Sequence, residues 1–192
     1  MPIRAPSLNE MRYLQAAEAE RRAALREKIE SSARVLGERD AIAKTLAVNE
    51  ALAERIRKLG FDGDSARVLD LMPLVFISWA DGRVQPEERA TILGVLEARK
   101  VAPESEAATL IATLLERPPP QAFQDEVIRV LRSLAGTSVD VGNIVALCRK
   151  VAEASGGLLG IGKISGDESY LIEQIAGKLG LDAQKRFADG MR

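Results

Sequence analysis

The apolar residues of this sequence recur at helical spacing, and each apolar segment is bounded by residues that start or stop helices. No segment alternates apolar and polar residues between hairpin turns, so strands are not expected. The sequence therefore predicts an all-α protein, a compact antiparallel bundle of about seven helices with an N-terminal helical extension. After residue 60 the predicted helices span about 64 to 80, 86 to 100, 104 to 116, 121 to 134, 139 to 154, 166 to 179 and 183 to 189, with a glycine-rich loop at 156 to 163.

Residues 1–59 form a predicted N-terminal amphipathic arm, and residues 60–192 form a predicted helical domain. The arm is rich in strong helix formers and contains no proline after Pro6. We expect one long helix, or two helices with a break near Gly37. Its apolar stripe, which Glu18, Arg21 and Arg22 interrupt, consists of Leu8, Met11, Leu14, Leu25, Ile29 and Leu36. Two interpretations stay open: the arm packs on its own domain, or residues 8–59 self-associate or bind a protein partner as a coiled coil.

The absence of histidine narrows the chemistry that the chain can perform. It excludes Ser-His-Asp and Cys-His catalysis and histidine-based zinc sites. The single cysteine, Cys148, lies in a predicted helix among apolar residues, which is typical of an inert buried thiol. A net charge of −1 and an aromatic content of 4% give no reason to expect nucleic-acid binding.

The sequence also indicates where in the cell the protein is expected. The N-terminus lacks the apolar run of a secretory signal. No stretch approaches the roughly 18 apolar residues of a transmembrane helix. We therefore expect a cytoplasmic protein without direct insertion into a membrane.

An internal repeat relates residues 82–93 to residues 162–173, with an offset of 80. Each copy has a glycine turn, a basic residue, a β-branched residue, a cap position and an acidic first helical turn. The corresponding pairs are Val84 and Ile164, Glu87 and Asp167, Glu88 and Glu168, and Ile92 and Ile172. Ser165 and Glu168 form a capping-box sequence. Gln85 is a poorer cap, and Pro86 compensates by presetting the helical φ. The repeat suggests a pseudo-symmetric bundle.

Residues 79–88, WADGRVQPEE, resemble the ADG…E signature of TerB-like domains, the tellurite-resistance family. Residues 158–169 and 172–181 resemble the second half of that domain, so the resemblance covers roughly residues 60–190 and leaves out the arm. The resemblance implies an all-α fold of about seven helices and acidic residues that bind a divalent metal. It also implies a non-catalytic role in stress response or in membrane-associated assemblies.

The candidate metal ligands follow from this resemblance. Asp81 and Glu88 occupy the acidic positions of the first motif, and Glu168 occupies that of the second, whereas Ile161 stands where the second motif has its aspartate. Hard cations such as Ca²⁺ or Mg²⁺ bind several oxygens, usually including two or more carboxylates. A pseudo-symmetric bundle would bring the two motifs to one region, with Asp167 or Glu87 beside them.

An alternative to a metal site stays open. Asp81-Gly82 is then only a turn, and Glu88 and Glu168 are then only helix-capping residues.

From these observations we expect a non-catalytic TerB-like module for interaction or stress response, with a divalent metal (Ca²⁺, Mg²⁺ or Zn²⁺) bound through Asp81, Glu88 and Glu168. The alternative is a structural oligomerisation protein that binds no metal and whose N-terminal helix forms a coiled coil. An enzyme with paired carboxylates would need a concave pocket and a strongly raised carboxylate pKa, and the sequence offers no obvious nucleophile.

Three weaker motifs have structural interpretations. Residues 157–164 nearly match a phosphate-binding loop, but Ile164 replaces the residue that would hold magnesium, and a helix precedes the loop. Asp62-Gly63-Asp64 favours a turn, followed by a helix cap at Asp64 or Ser65. Trp79 lies on the apolar face of its helix and is expected in the core.

Overall fold

The structure is a computed structural model that describes residues 7–155 and 164–180. These residues contain eight α-helices, one 3₁₀ helix and no strand, so the all-α prediction is confirmed. The elements are α1 (Leu8–Leu46), α2 (Glu50–Lys58), the 3₁₀ helix (Ser65–Leu71), α3 (Met72–Ser78), α4 (Pro86–Ala98), α5 (Glu106–Glu116), α6 (Gln121–Leu134), α7 (Val141–Ser155) and α8 (Gly166–Lys178). The predicted loop at 156–163 and the predicted helix at 183–189 lie outside the described residues.

Contacts between residues divide the chain into two units, Met1–Glu38 and Arg39–Arg192. Residues 39–59, which were predicted to belong to the arm, fall in the second unit. Three apolar residues from this stretch, Ile42, Ala53 and Ile56, are fully buried in its core.

The long helix α1 continues through Gly37, so of the two alternatives the arm has two helices, and the break lies at residues 47–49 rather than near that glycine. One glycine costs a helix about 1 kcal/mol relative to alanine, which is too little to end a run of strong helix formers. The helix ends instead at Leu46, where Ala47 adopts a left-handed backbone conformation with φ of 53°. Asn49 then begins α2, because its side-chain oxygen accepts a hydrogen bond from the backbone N–H of Leu52 at 2.9 Å.

The first unit, within the described residues 7–38, is a single stretch of α1. Its large apolar side chains are exposed to solvent: Leu8, Met11, Tyr13, Leu14, Leu25, Ile29 and Leu36. In a helix made of strong helix formers, this stripe is available for contact with another surface.

The core of the second unit is organised around the short helix α3. All of its residues, from Met72 to Ser78, are buried. Helices α4 to α8 and the 3₁₀ helix all contact α3. A helix that is apolar on every face must be surrounded in this way to stay out of water.

Asp64 occupies the N-cap position of the 3₁₀ helix, as expected, but its side chain makes no capping hydrogen bond. Asp62, rather than Asp64 or Ser65, accepts the capping hydrogen bond from the backbone N–H of Ser65, at 2.7 Å. Asp64 instead accepts a hydrogen bond from Ala107 N–H at the start of α5, at 3.3 Å. Gly63 is required between them, since a Cβ atom there would lie 2.6 Å from the Cβ of Ala41.

Helices α4 and α8 preserve the 80-residue repeat along their whole length. The buried positions correspond pairwise: Glu88 and Glu168, Ile92 and Ile172, Val95 and Ile175, Leu96 and Ala176. Beyond the helix ends, Lys100 and Gly180 also correspond, and both have a positive φ, 57° and 85°. Both helices pack against α3 and α7, so they occupy comparable positions in the bundle.

Within the described residues, every helix is too short or too polar to cross a membrane.

Candidate functional site

The first helix start of the repeat lies at α4. Pro86 occupies the first turn, and Gln85 before it has an extended backbone conformation. The backbone N–H of Gln85 donates to Oε2 of Glu88 at 2.8 Å. The side chain of Gln85, predicted only to be a poor cap, also donates from Nε2 to Oδ2 of Asp81 at 3.2 Å. Gln85 therefore connects both acidic residues of the first motif.

The second helix start lies at α8 and has the predicted capping box. The backbone N–H of Ser165 donates to Oε2 of Glu168 at 2.7 Å, and the backbone N–H of Glu168 donates to Oγ of Ser165 at 3.2 Å. Each carboxyl group thus satisfies a backbone donor that the helix itself leaves unpaired. The same geometry at α4 and α8 places Glu88 and Glu168 at equivalent points of the two repeats.

The two capping glutamates meet in the folded chain. Glu88 is only 2% exposed and Glu168 only 6%, and the two side chains are hydrogen-bonded to each other. Such a contact between carboxyl groups requires a proton, since two carboxylates have no donor to share. The helix starts that the repeat relates therefore converge on one buried carboxyl pair.

The electrostatic environment favours the protonated form of Glu88. The pKa of Glu88 is raised from 4.5 to about 7, mainly by burial and also by the negative charges of Glu168 and Asp81, against the lowering effect of the Gln85 N–H. The hydrogen bond to Glu168 acts in the same direction, because it stabilises the protonated form of Glu88. Glu88 therefore gains or loses its proton near neutral pH.

The remaining predicted ligands lie outside this buried pair. Asp81 is exposed, and its Oδ1 accepts the backbone N–H of Arg83 at 3.3 Å, as expected for a residue in a turn. Its charge is close enough to raise the pKa of Glu88. Glu87 and Asp167 are exposed residues of the first helical turns. The position of Ile161, the counterpart of Asp81, lies outside the described residues.

The donor set of this site consists of carboxylate oxygens. Within residues 7–155 and 164–180, no group of three or more acidic or cysteine side chains is arranged to hold a metal ion. Two buried carboxyl groups with an exposed aspartate nearby suit a hard cation, which takes its remaining oxygens from water, better than Zn²⁺, which is usually bound by nitrogen and sulfur.

Two other residues of interest in the sequence, Trp79 and Cys148, are associated with the core. Trp79 packs against it, and its Nε1 donates to the carbonyl oxygen of Leu114 at 2.9 Å. Cys148 is buried, and burial raises the pKa of its thiol far above its usual value, so the reactive thiolate is suppressed. The expectation of a buried thiol is confirmed, whereas Trp79 is only partly buried and packs against the core.

Comparison of the chain with protein-family models, with curated proteins and with solved structures found no match. The fold and the site by themselves define an all-α bundle in which two repeated helix starts share a buried carboxyl pair.

Proposed function

We propose that this protein is a non-catalytic, TerB-like helical module that binds a divalent cation, Ca²⁺ or Mg²⁺, between Glu88 and Glu168. The observation that carries the proposal is the contact between these two buried carboxyl groups. A buried pair of like charges is costly unless a positive charge or a proton lies between its members. A divalent cation satisfies that requirement at pH values where the proton has left.

Proton and cation compete for the same oxygens. Because the pKa of Glu88 is raised to about 7, Glu88 holds its proton in mildly acidic solution and loses it in mildly basic solution. Affinity for a cation should therefore increase as the pH rises through 7, as is general for ligands that must be deprotonated to bind.

Asp81 supplies the third carboxylate of the proposed site. Its side chain is exposed and is held by the amide of Gln85 at 3.2 Å. A bound cation would attract this carboxylate toward the buried pair, and Asp81 would then contribute one of the six to eight oxygens that Ca²⁺ takes.

A cation at this position would connect the starts of α4 and α8. Both helices pack on α3 and α7, so the ion would stabilise the bundle as a whole. The resemblance of residues 79–88 to TerB-like domains extends the proposal to a cytoplasmic role in stress response, in which the module assembles with a protein partner. The chain has no histidine to act as a catalytic base, which favours this role over catalysis.

The proposal is tested by calorimetric titration of the full chain with Ca²⁺, Mg²⁺, Mn²⁺ and Zn²⁺ above pH 7, together with unfolding measurements at each cation concentration. Wild type should bind and gain about 2.7 kcal/mol of stability at a hundred times the dissociation constant. Glu88→Gln and Glu168→Gln should lose binding, and Asp81→Asn should weaken it.

The matched control is Glu87→Gln, which makes the same change of charge at the neighbouring exposed position of α4. It should leave cation binding unchanged. Absence of binding in wild type, or equal binding in wild type and Glu88→Gln, rejects the proposal.

The exposed apolar residues of α1 favour a second candidate function. In this alternative, the protein is a structural component that self-associates through its N-terminal helix and needs no metal. The two candidates use different residues, so each can fail without the other.

A further inference from the structure

Five of the exposed apolar residues of α1 follow a heptad register, whereas Tyr13 and Leu14 lie outside its a and d positions. Leu8, Ile29 and Leu36 occupy a positions, and Met11 and Leu25 occupy d positions of the same register. These side chains are exposed in the first unit. Polar residues at the remaining a and d positions, Gln15, Glu18, Arg22 and Ser32, interrupt the stripe.

The two charged interruptions form a pair of opposite sign. Glu18 at a d position and Arg22 at the following a position lie one turn apart, and the distance from Arg22 NH2 to Glu18 Oε2 is 3.2 Å. Both side chains are largely exposed. The centre of the stripe therefore presents one negative and one positive charge along the helix axis.

This arrangement discriminates between the two orientations of a helix pair. In a parallel pair in register, Glu18 would face Glu18 of the second copy, and Arg22 would face Arg22 of the second copy. In an antiparallel pair with its two-fold axis at the level of Glu20, Glu18 of each copy faces Arg22 of the other. The same register places Met11 opposite Ile29 of the second copy. Opposite charges that face each other stabilise a pair, whereas like charges destabilise it.

We propose that α1 binds α1 of a second copy of this chain as an antiparallel coiled coil centred on Glu20. The proposal rests on the second candidate function, self-association, and adds the occupant, the orientation and the register. Residues 8–32 of the two copies would overlap over about 37 Å. That length corresponds to about three and a half heptads, which is in the range that sustains a coiled coil.

The basic residues beside the stripe give the association a characteristic salt dependence. Arg12, Arg21, Arg26 and Lys28 occupy the e and g positions. Their mutual repulsion opposes pairing in either orientation, so it does not select between them. Because salt screens exposed like charges, moderate salt is expected to tighten the dimer.

Sedimentation equilibrium of the full chain measures self-association, and disulfide crosslinking measures orientation. Met11→Cys and Ile29→Cys are made in separate chains, with the buried Cys148 left in place. In the proposed register, a mixture of the two variants forms a crosslinked dimer under mild oxidation, whereas neither variant crosslinks with itself.

The charge pair provides a second, independent test. Glu18→Arg places four positive charges at the centre and should weaken dimerisation about tenfold or more. The double variant Glu18→Arg/Arg22→Glu should restore it. Glu27→Arg makes the same change of charge at an f position, away from the seam, and should leave dimerisation within about threefold of wild type.

The outcomes distinguish a failure of the antiparallel register from a failure of self-association itself. A wild-type chain that remains monomeric overturns the proposal and the self-association function together. A dimer in which Met11→Cys crosslinks with itself, or in which Glu18→Arg is no weaker than Glu27→Arg, retains self-association and overturns the antiparallel register.

Discussion

Replacing Glu88 by glutamine removes the titrating group of the buried pair and keeps its shape. The glutamine amide can donate to Glu168 as the protonated carboxyl does, and its oxygen can still accept the N–H of Gln85. The variant therefore imitates the protonated pair at every pH. Its stability relative to wild type measures what ionisation of the pair costs the folded state.

The expected magnitude follows from the pKa of Glu88, which is raised from 4.5 to about 7. The folded protein keeps this proton at pH values where the unfolded chain has lost it, so the proton's stabilising contribution is complete below pH 4.5. It is lost as the pH rises from 4.5 to about 7. At about 1.4 kcal/mol per pKa unit, wild type loses about 3 kcal/mol over this range, and Glu88→Gln does not.

The assay is urea unfolding in the presence of a chelator, followed by circular dichroism and by fluorescence of Trp79, the only tryptophan. Glu88→Gln should match wild type at pH 4.5 and exceed it by about 3 kcal/mol well above pH 7. The control Glu87→Gln should follow the wild-type curve. A difference between Glu88→Gln and wild type that is the same at every pH would refute the reasoning. Asp62, whose pKa is lowered, affects stability only in more acidic solution.

Two further predictions concern the repeated helices. Lys100 adopts a left-handed backbone conformation that is strained for a residue with a Cβ atom, whereas Gly180 adopts it without strain. Lys100→Gly should therefore stabilise the protein by about 0.5–1 kcal/mol. Gly180→Ala should destabilise it by about 1 kcal/mol, and thermal unfolding that shows the same sign for both would contradict this explanation. Ile92→Ala should cost about 2–5 kcal/mol, because the side chain is fully buried. Leu93→Ala, at the exposed neighbouring position, should stay within about 0.5 kcal/mol of wild type in urea unfolding, and equal losses would disprove the assignment of the buried face.

The starts of α4 and α8 could be predicted because the signals that produce them are local. Pro86 presets the backbone of the first turn, and Ser165 and Glu168 satisfy each other's backbone donors across three residues. These interactions form within one helical turn and need no other part of the chain. The offset of 80 between the two starts was visible for the same reason.

The positions at which helices begin and end were harder to predict from the sequence. Gly37 suggested a break, but a helix is cooperative, and the residues on both sides of the glycine carry the helix through it. The role of Asp62 as the cap before the 3₁₀ helix was also missed, because Asp62, Asp64 and Ser65 can all cap. The close approach of Gly63 to Ala41 in the same turn is likewise a contact between residues distant in sequence, which local signals do not reveal.

The sequence by itself determined the helical class, the two matching helix starts and the identity of the capping glutamates, since all of these depend on residues within a few positions of each other. Only the tertiary structure decided that Glu88 and Glu168 touch in the core, that the pKa of Glu88 is raised, and that Ile42 is buried while Ile29 is exposed on the same helix. Whether a side chain is removed from water depends on residues that are distant in the sequence. The helical spacing of apolar residues is the same whether or not such distant residues bury them.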